Sequence, residues 1–349
     1  MRRSPLAAGS ALALASAVAF GATTPLVQRF GRGVGPFTTA ALLYGGAALV
    51  AALPRGRRDA PLRRSDAPRV VAVALLGAVA APMALAWGLQ HTSGVAASLL
   101  LNLEALFTVL LARAIWREPI GPRVGAAVAA MVAGGALLVL DVRSASVVAG
   151  WGALAVVGAT LGWAGDNVLG RPLADRDPTH VVLAKGALGA ALSLALARAL
   201  GESWPAWEAA AALAACGAVG YGMSLRLYLR AQRVVGAART GSVFAVAPFL
   251  GAATAWAMGE RPGGLGTLGA GALCALGVWL HLTESHEHTH AHGAVEHEHA
   301  HRHDDGHHDH PHDPAHDVPP SGEHSHAHRH DPVTHGHPHA PDLHHRHGH

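Results

Sequence analysis

The stretch TSGVAASLLLNLEALFTVLLARAIWREPIG, residues 92–121, decides the fold. Between Ser93 and Ile115 it is apolar apart from a few polar groups, and at this length it covers the ~20 residues needed to cross a hydrocarbon core. It closes in a short loop that carries Glu118 between Arg117 and Pro119. Further on, VGAARTGSVFAVAPFLGAATAWAMGERPG (235–263) repeats the pattern, ending on Glu260 between Gly259 and Arg261.

The two stretches belong to a longer internal repeat. Sliding the chain by 142 residues aligns Gln90 with Gln232, Phe107 with Phe249 and Glu118 with Glu260, besides Gly94/Gly236, Gly121/Gly263 and Leu138/Leu280. Alanine matches are cheap in this chain, whereas Gln, Phe and Glu matches at one fixed offset are not. Apolar runs recur at about 6–30, 35–53, 70–89, 93–115, 122–140, 150–170, 179–200, 207–229, 240–259 and 263–282, ten spans of membrane length. The first, behind Arg2 and Arg3, could pass for a signal peptide, but the nine further spans and the repeat keep it as a helix of the mature chain. Each repeat holds five spans, an odd number, so the second half enters the membrane in the opposite sense. That is an inverted-repeat plan, in which two halves move about a site near the midplane.

Composition agrees with a lipid-solvated chain. Of 349 residues, 50% are apolar, 14% charged and 5% aromatic. Of 26 basic residues all but Lys185 are arginine, a composition bias that gives no support to nucleic-acid binding. Cys216 and Cys274 sit singly in apolar runs, so neither a disulfide framework nor a cysteine metal site is expected. With the N-terminus inside, sixteen arginines fall on the cytoplasmic side of the spans and five on the other. The positive-inside rule therefore predicts a multi-pass inner (plasma) membrane protein with both termini cytoplasmic. Small residues, as in AAMVAGGA (129–136), let helices approach closely. They allow a homodimer without marking a face for one.

On these residues the chain, from 6 to 282, resembles the EamA-domain subgroup of the drug/metabolite transporter superfamily. The resemblance implies an all-α membrane fold of ten helices in two inverted five-helix repeats, 1–141 and 142–282, that carries a small solute. Two positions depart from the family pattern. The proline usual after the glutamate of the fourth helix is Ala105 here, and the ninth helix keeps Pro248 with no acid beside it.

Charged and strongly polar groups inside a membrane are costly and mark pathways by default. Glu104 stands near the middle of the fourth span with Asn102 beside it, and an embedded carboxylate can exchange protons with substrate binding. Its alternative role is a hydrogen bond to a neighbouring helix. Asp166 and Asn167, late in the sixth span, align with Thr23 and Thr24 of the first after a shift of 143, and Trp163 aligns with Phe20. They read as a polar lining given by the first helix of each half, or as groups serving Arg171 and loop water. Lys185 is shallow enough to snorkel to the interface, with a salt bridge to Asp166 or Glu104 as the other reading. Gln90 and Gln232 could line a cavity or bond between helices. Glu118 and Glu260 fit capping of the following helix better than gating.

From Thr283 the composition changes completely: 24 histidines and 12 acids in 67 residues, with almost no apolar groups. Nothing there offsets the entropy of ordering, so residues 283–349 are expected to be disordered without metal. Alternating histidines (His286, His288, His290, His292; His297, His299, His301, His303; His307, His308, His310; His324, His326, His328, His330) put imidazoles on one side of an extended segment. Such a set suits zinc, nickel, cobalt or copper. No resident cofactor is expected.

Three readings follow. The chain is a secondary transporter of a small solute, or a divalent-metal transporter whose tail collects or senses the ion, or a membrane-anchored metal sensor or store. The helices hold no HxxxD or HxxxH pair, and His91, His180 and His281 lie near span ends, which speaks mildly against a bare metal path. The apolar spans hold no P-loop, nucleophile elbow or HExxH, so an enzyme reading has no support there.

Overall fold

The computed structural model describes residues 5–53, 60–116, 121–173, 176–235, 237–261, 264–283, 286–292, 295–301, 324–330 and 333–339. Glu118, His303, His307, His308 and His310 lie outside the described residues, as do the side chains of Gln232 and of the tail segments 286–292, 295–301, 324–330 and 333–339, of which only the backbone is described.

The first half comprises α1 (Pro5–Phe30), α2 (Pro36–Ala52), α3 (Ala67–Ala74), α4 (Ala81–His91), α5 (Gly94–Leu100), α6 (Leu103–Trp116) and α7 (Pro122–Ala145). The second comprises α8 (Val147–Gly170), α9 (Pro178–Ala199), α10 (Trp207–Cys216), α11 (Ser224–Val235), α12 (Ala237–Phe244), α13 (Ala247–Ala257) and α14 (Leu265–Leu282). Their starts are written locally. Proline occupies the first turn of α2, α7 and α9, where its missing N–H costs nothing. Ser93, Ser146 and Asp177 cap α5, α8 and α9 by accepting from Ala96 N, Ala149 N and Thr179 N.

Among the described residues, seven helical stretches are long and apolar enough to cross a membrane: Ala7–Phe30, Arg64–His91, Gly94–Ile115, Pro122–Ser144, Val147–Leu173, Pro178–Ala199 and Trp207–Ala231. Pro36–Ala52 and Leu265–Leu280 are apolar but shorter. Leu49, Trp151, Trp207 and Leu265 are all more than half exposed, as expected where the outer face of the bundle meets lipid rather than water.

Two kinds of irregularity appear in both halves. The α3–α4 helix turns π-helical over Leu75–Ala80, and the α10–α11 helix does so over Gly217–Met223. The fourth and ninth spans, expected as single helices, are each divided: α5 from α6 at Leu101 and Asn102, α12 from α13 at Ala245 and Val246. Pro248, in the first turn of α13, accounts for the second break because it cannot donate to the preceding turn. The first break occurs without a proline, and there Asn102 Nδ2 donates to Leu99 O at 2.9 Å.

The packing repeats as well. α2 lies on α9 and α7 on α14; α4 on α8 is matched by α11 on α1, and α6 on α8 by α13 on α1. Exchanging the halves maps this set of contacts onto itself. Buried Leu43, Leu85, Leu100, Leu138, Val156 and Leu213 join both halves in one core.

Where composition predicts an unstructured tail, four described segments are extended and paired. β1 (His286–His292) runs antiparallel to β4 (Val333–His339), and β2 (Val295–His301) to β3 (His324–His330).

Candidate functional site

Four of the singled-out residues come together as two adjacent polar pairs. Asn167 Nδ2 donates to Glu104 Oε1 at 2.8 Å, joining α8 to α6. Lys185 Nζ forms an ion pair with Asp166, joining α9 to α8, the two side chains only 17% and 12% exposed. The salt-bridge reading of Lys185 thus holds over snorkelling, because Asp166 lies one helix away and within reach. Glu104 is half-buried and Asn167 exposed, so the paired groups are not sealed inside the core.

The π-helical turn shapes the wall beside them. In its widened hydrogen-bonding pattern Ala81 N donates to Leu76 O, and Pro82, next in line, has no N–H to give Gly77 O, which accepts instead from Tyr44 Oη and, at 3.0 Å, from Trp163 Nε1. Gly77 also lies so close to the Asp166 carboxylate that a Cβ there would overlap it. In the other half Gly220, within the second π turn, stands against the side chain of Thr23 in the same way. Since Thr23 aligns with Asp166 and Gly77 with Gly220 at a shift of 143, the two contacts are equivalent under exchange of halves. Chemically they differ: one half presents a carboxylate, the other a hydroxyl that donates to Phe20 O at 2.6 Å.

Aromatic rings close the site. Tyr221 is 5.5 Å from Tyr44, 5.8 Å from Phe20 and 6.3 Å from Trp163, centroid to centroid. Phe244 lies 5.6 Å from Phe20 and 5.1 Å from Tyr228. Phe20 and Trp163, aligned by the repeat, meet at one ring. The arrangement offers an ion pair, a carboxylate–amide pair and apolar aromatic faces, the groups needed to orient a small solute with both polar and apolar parts.

The other singled-out residues lie elsewhere. Asn102 is buried at the α5–α6 break and bonds its own backbone. Gln90 Nε2 donates to Val34 O at 2.8 Å, at the end of the bundle where α1 turns into α2 and α4 into α5. That end carries further cross-ties. Gln28 Nε2 donates to Thr92 O at 2.9 Å. Glu260 accepts from Val95 N at 3.2 Å, capping α5 of the other half rather than the helix that follows it. Glu202 accepts from Phe37 N at 3.1 Å, Thr38 N at 2.7 Å and Thr38 Oγ1 at 2.8 Å. At the opposite end Arg176 Nε and Asp66 Oδ2 are 2.8 Å apart.

Sequence reasoning missed Tyr44, Tyr221, Gly77 and Glu202 as site or seal residues. Glu202 could have been sought from the start of α2, where Gly35-Pro36 supplies no capping side chain. Nothing in an apolar helix announces a π turn.

Known proteins bear on this geometry. A model of the EamA-like transporter family matches residues 7–140 and again 150–283. A protein of Methanothermobacter thermautotrophicus named "Uncharacterized transporter" is 29% identical over 214 residues, 60% of this chain and 62% of its own length. The match therefore spans less than two thirds of that relative. A solved structure described as "Crystal structure of protein" shares the fold at a TM-score of 0.55 and 21% identity, over 80% of this chain and 96% of the other. With the family model matching once on each half, the chain is a multi-pass membrane protein of the EamA-like transporter family.

Proposed function

We propose that this protein is a secondary transporter moving a small solute by alternating access between two inverted five-helix halves, ten crossings in all. It resides in the inner (plasma) membrane with both termini cytoplasmic, and its tail binds divalent metal. The observation that carries this reading is the meeting of Glu104–Asn167 and Asp166–Lys185 beside Tyr44, Trp163 and Tyr221.

The chemistry of the site follows from that geometry. A buried ion pair is held together at a desolvation cost, so either member can exchange its partner for a charged group of the solute with little net change. Glu104 carries the coupling proton, its bond from Asn167 holding the carboxyl toward the solute. The aromatic faces receive the apolar part. In this conformer the outer end, tied by Gln28, Gln90, Glu202 and Glu260, is the shut one.

A bare divalent ion as cargo is the second reading, favoured by the tail. Among the described residues no three His, Cys, Asp or Glu side chains gather into a metal site, and a dehydrated ion would need such a set along its path. The small-solute reading is the better supported.

The test compares cells expressing the intact protein, Glu104→Gln and a chain ending at Thr283, at matched membrane levels. Intracellular and external metabolites are profiled alongside nickel, cobalt, zinc and copper. The expected result is a shift in one solute pool that needs Glu104 and not the tail. A metal level that shifts with the intact protein and is lost in both variants would make the ion the cargo. If nothing shifts, or shifts ignore Glu104, the transport mechanism stated here fails.

A further inference from the structure

The tail strands are paired in a way that composition does not predict. In β1 and β4 the register sets His286 opposite His339, His288 opposite His337 and His290 opposite His335. In β2 and β3 it sets His297 opposite His328, His299 opposite His326 and His301 opposite His324. Both pairings keep one register along the tail, from His286 opposite His339 through to His301 opposite His324.

Alternate residues of a strand share a face, so in each pairing three opposed histidine pairs occupy one face. The positions between them hold spacers: Glu287 opposite Pro338, Thr289 opposite Gly336 and Ala291 opposite Thr334. A slip of one residue would set every histidine opposite a spacer and move one strand's histidines to the other face. The register is therefore the particular one that brings histidine to histidine. It also sets Glu296 opposite Arg329, an opposite-charge pairing that favours the same alignment.

We propose that the tail is a cross-strand histidine ladder whose metal sites are each built from two segments distant in sequence, 286–292 with 333–339 and 295–301 with 324–330. This deepens the reading of the tail as metal-binding and rests on it. Directly opposed positions of an antiparallel pair have Cβ atoms ~4.5–5.5 Å apart, and next neighbours on the same face follow about two residue rises along the strand. Two successive opposed pairs thus bring four histidine positions onto one face of the ribbon, and four is the number of ligands a tetrahedral zinc site uses. Each pairing holds three opposed pairs and one histidine, His292 or His330, opposite a valine. That provides for about one four-histidine site per pairing and about two per chain.

An isolated two-stranded ribbon is at best marginal in water. Metal joining its strands would supply the missing stability, because binding free energy at a site that exists only when folded becomes folding free energy. Imidazole must be neutral to ligate, so the ladder loads as pH rises through the histidine range and empties as it falls. Nickel, cobalt and copper suit the same donors.

The test measures zinc uptake by the full-length protein in detergent, by equilibrium dialysis with zinc as the only metal and elemental mass spectrometry as readout. Three variants are compared with the intact chain: His286/His288/His290→Ala, His335/His337/His339→Ala, and all six. The ladder predicts that each threefold variant loses about one of two tight ions and that the sixfold variant loses no more than either. Losses that add in the sixfold variant mean each segment binds alone, and overturn the ladder while sparing the metal-binding tail. Threefold variants that keep both ions overturn it too. A chain ending at Thr283 that takes up as much zinc as the intact protein overturns both.

Discussion

Lys185 and Asp166 show what a single pairing decides. Each alone would be a charge placed within the membrane span, and together they make a site. Removing one partner leaves the other uncompensated, at a cost on the order of 3 kcal/mol, while removing both removes the problem. Lys185→Ala and Asp166→Ala are each expected to lower the unfolding midpoint in detergent, and the double variant to recover much of the loss. Additive losses would mean that the ion pair is not formed. Gly77→Ala is expected to abolish transport without loss of membrane insertion, because its Cβ would enter the space of the Asp166 carboxylate. Transport at the wild-type rate in that variant would place the solute path elsewhere. Glu104, Asp166 and Lys185 stood out in the sequence because charge in an apolar span is conspicuous, and Asn167 because it adjoins Asp166; the structure adds that the four pair with one another. Tyr44 and Tyr221 were not, since an aromatic residue in a membrane helix is ordinary until its neighbours are known.

Among the elements, the breaks and π turns carry the information. The α5–α6 division lies two residues before Glu104, and the Leu75–Ala80 turn supplies the carbonyl that Tyr44 and Trp163 share. Regular helices would satisfy those backbone groups internally and leave the wall without an exposed acceptor. The start of α2 depends on another element altogether, the Glu202 carboxylate from beyond α9. Replacing Glu202 with alanine removes acceptors for two backbone N–H groups and a favourable charge at a helix N-terminus. A loss of roughly 1–2 kcal/mol follows, measurable as a lower unfolding midpoint. An unchanged midpoint would show that water serves the cap equally well.

Across the whole molecule the exchange of halves predicts a second conformer. In the proposed orientation, the contacts that tie the end facing outward, Gln28 to Thr92 and Gln90 to Val34, must part for the site to open there. With buried Cys216 and Cys274 replaced by alanine, Asn167→Cys is expected to react with a membrane-impermeant thiol reagent from the cytoplasmic side and slowly from outside. Adding Gln28→Ala and Gln90→Ala should raise the outside rate severalfold and lower the inside rate. Labelling that stays one-sided in that background would remove these glutamines from the gate.

The sequence by itself determined the lipid-solvated character of the chain, the repeat and the histidine-rich composition of the tail, because each is written in composition or in a fixed offset that any conformation must respect. It also singled out most of the charged groups, since burying charge in lipid is expensive wherever it occurs. Only the tertiary structure decided which of them meet: that Lys185 takes Asp166, that Asn167 takes Glu104, and that Glu202 and Glu260 cap helices 165 positions away in the chain. Partner choice among polar groups depends on helix rotation and depth. Those are fixed by close packing across both halves, a property of the assembled bundle that no single span contains.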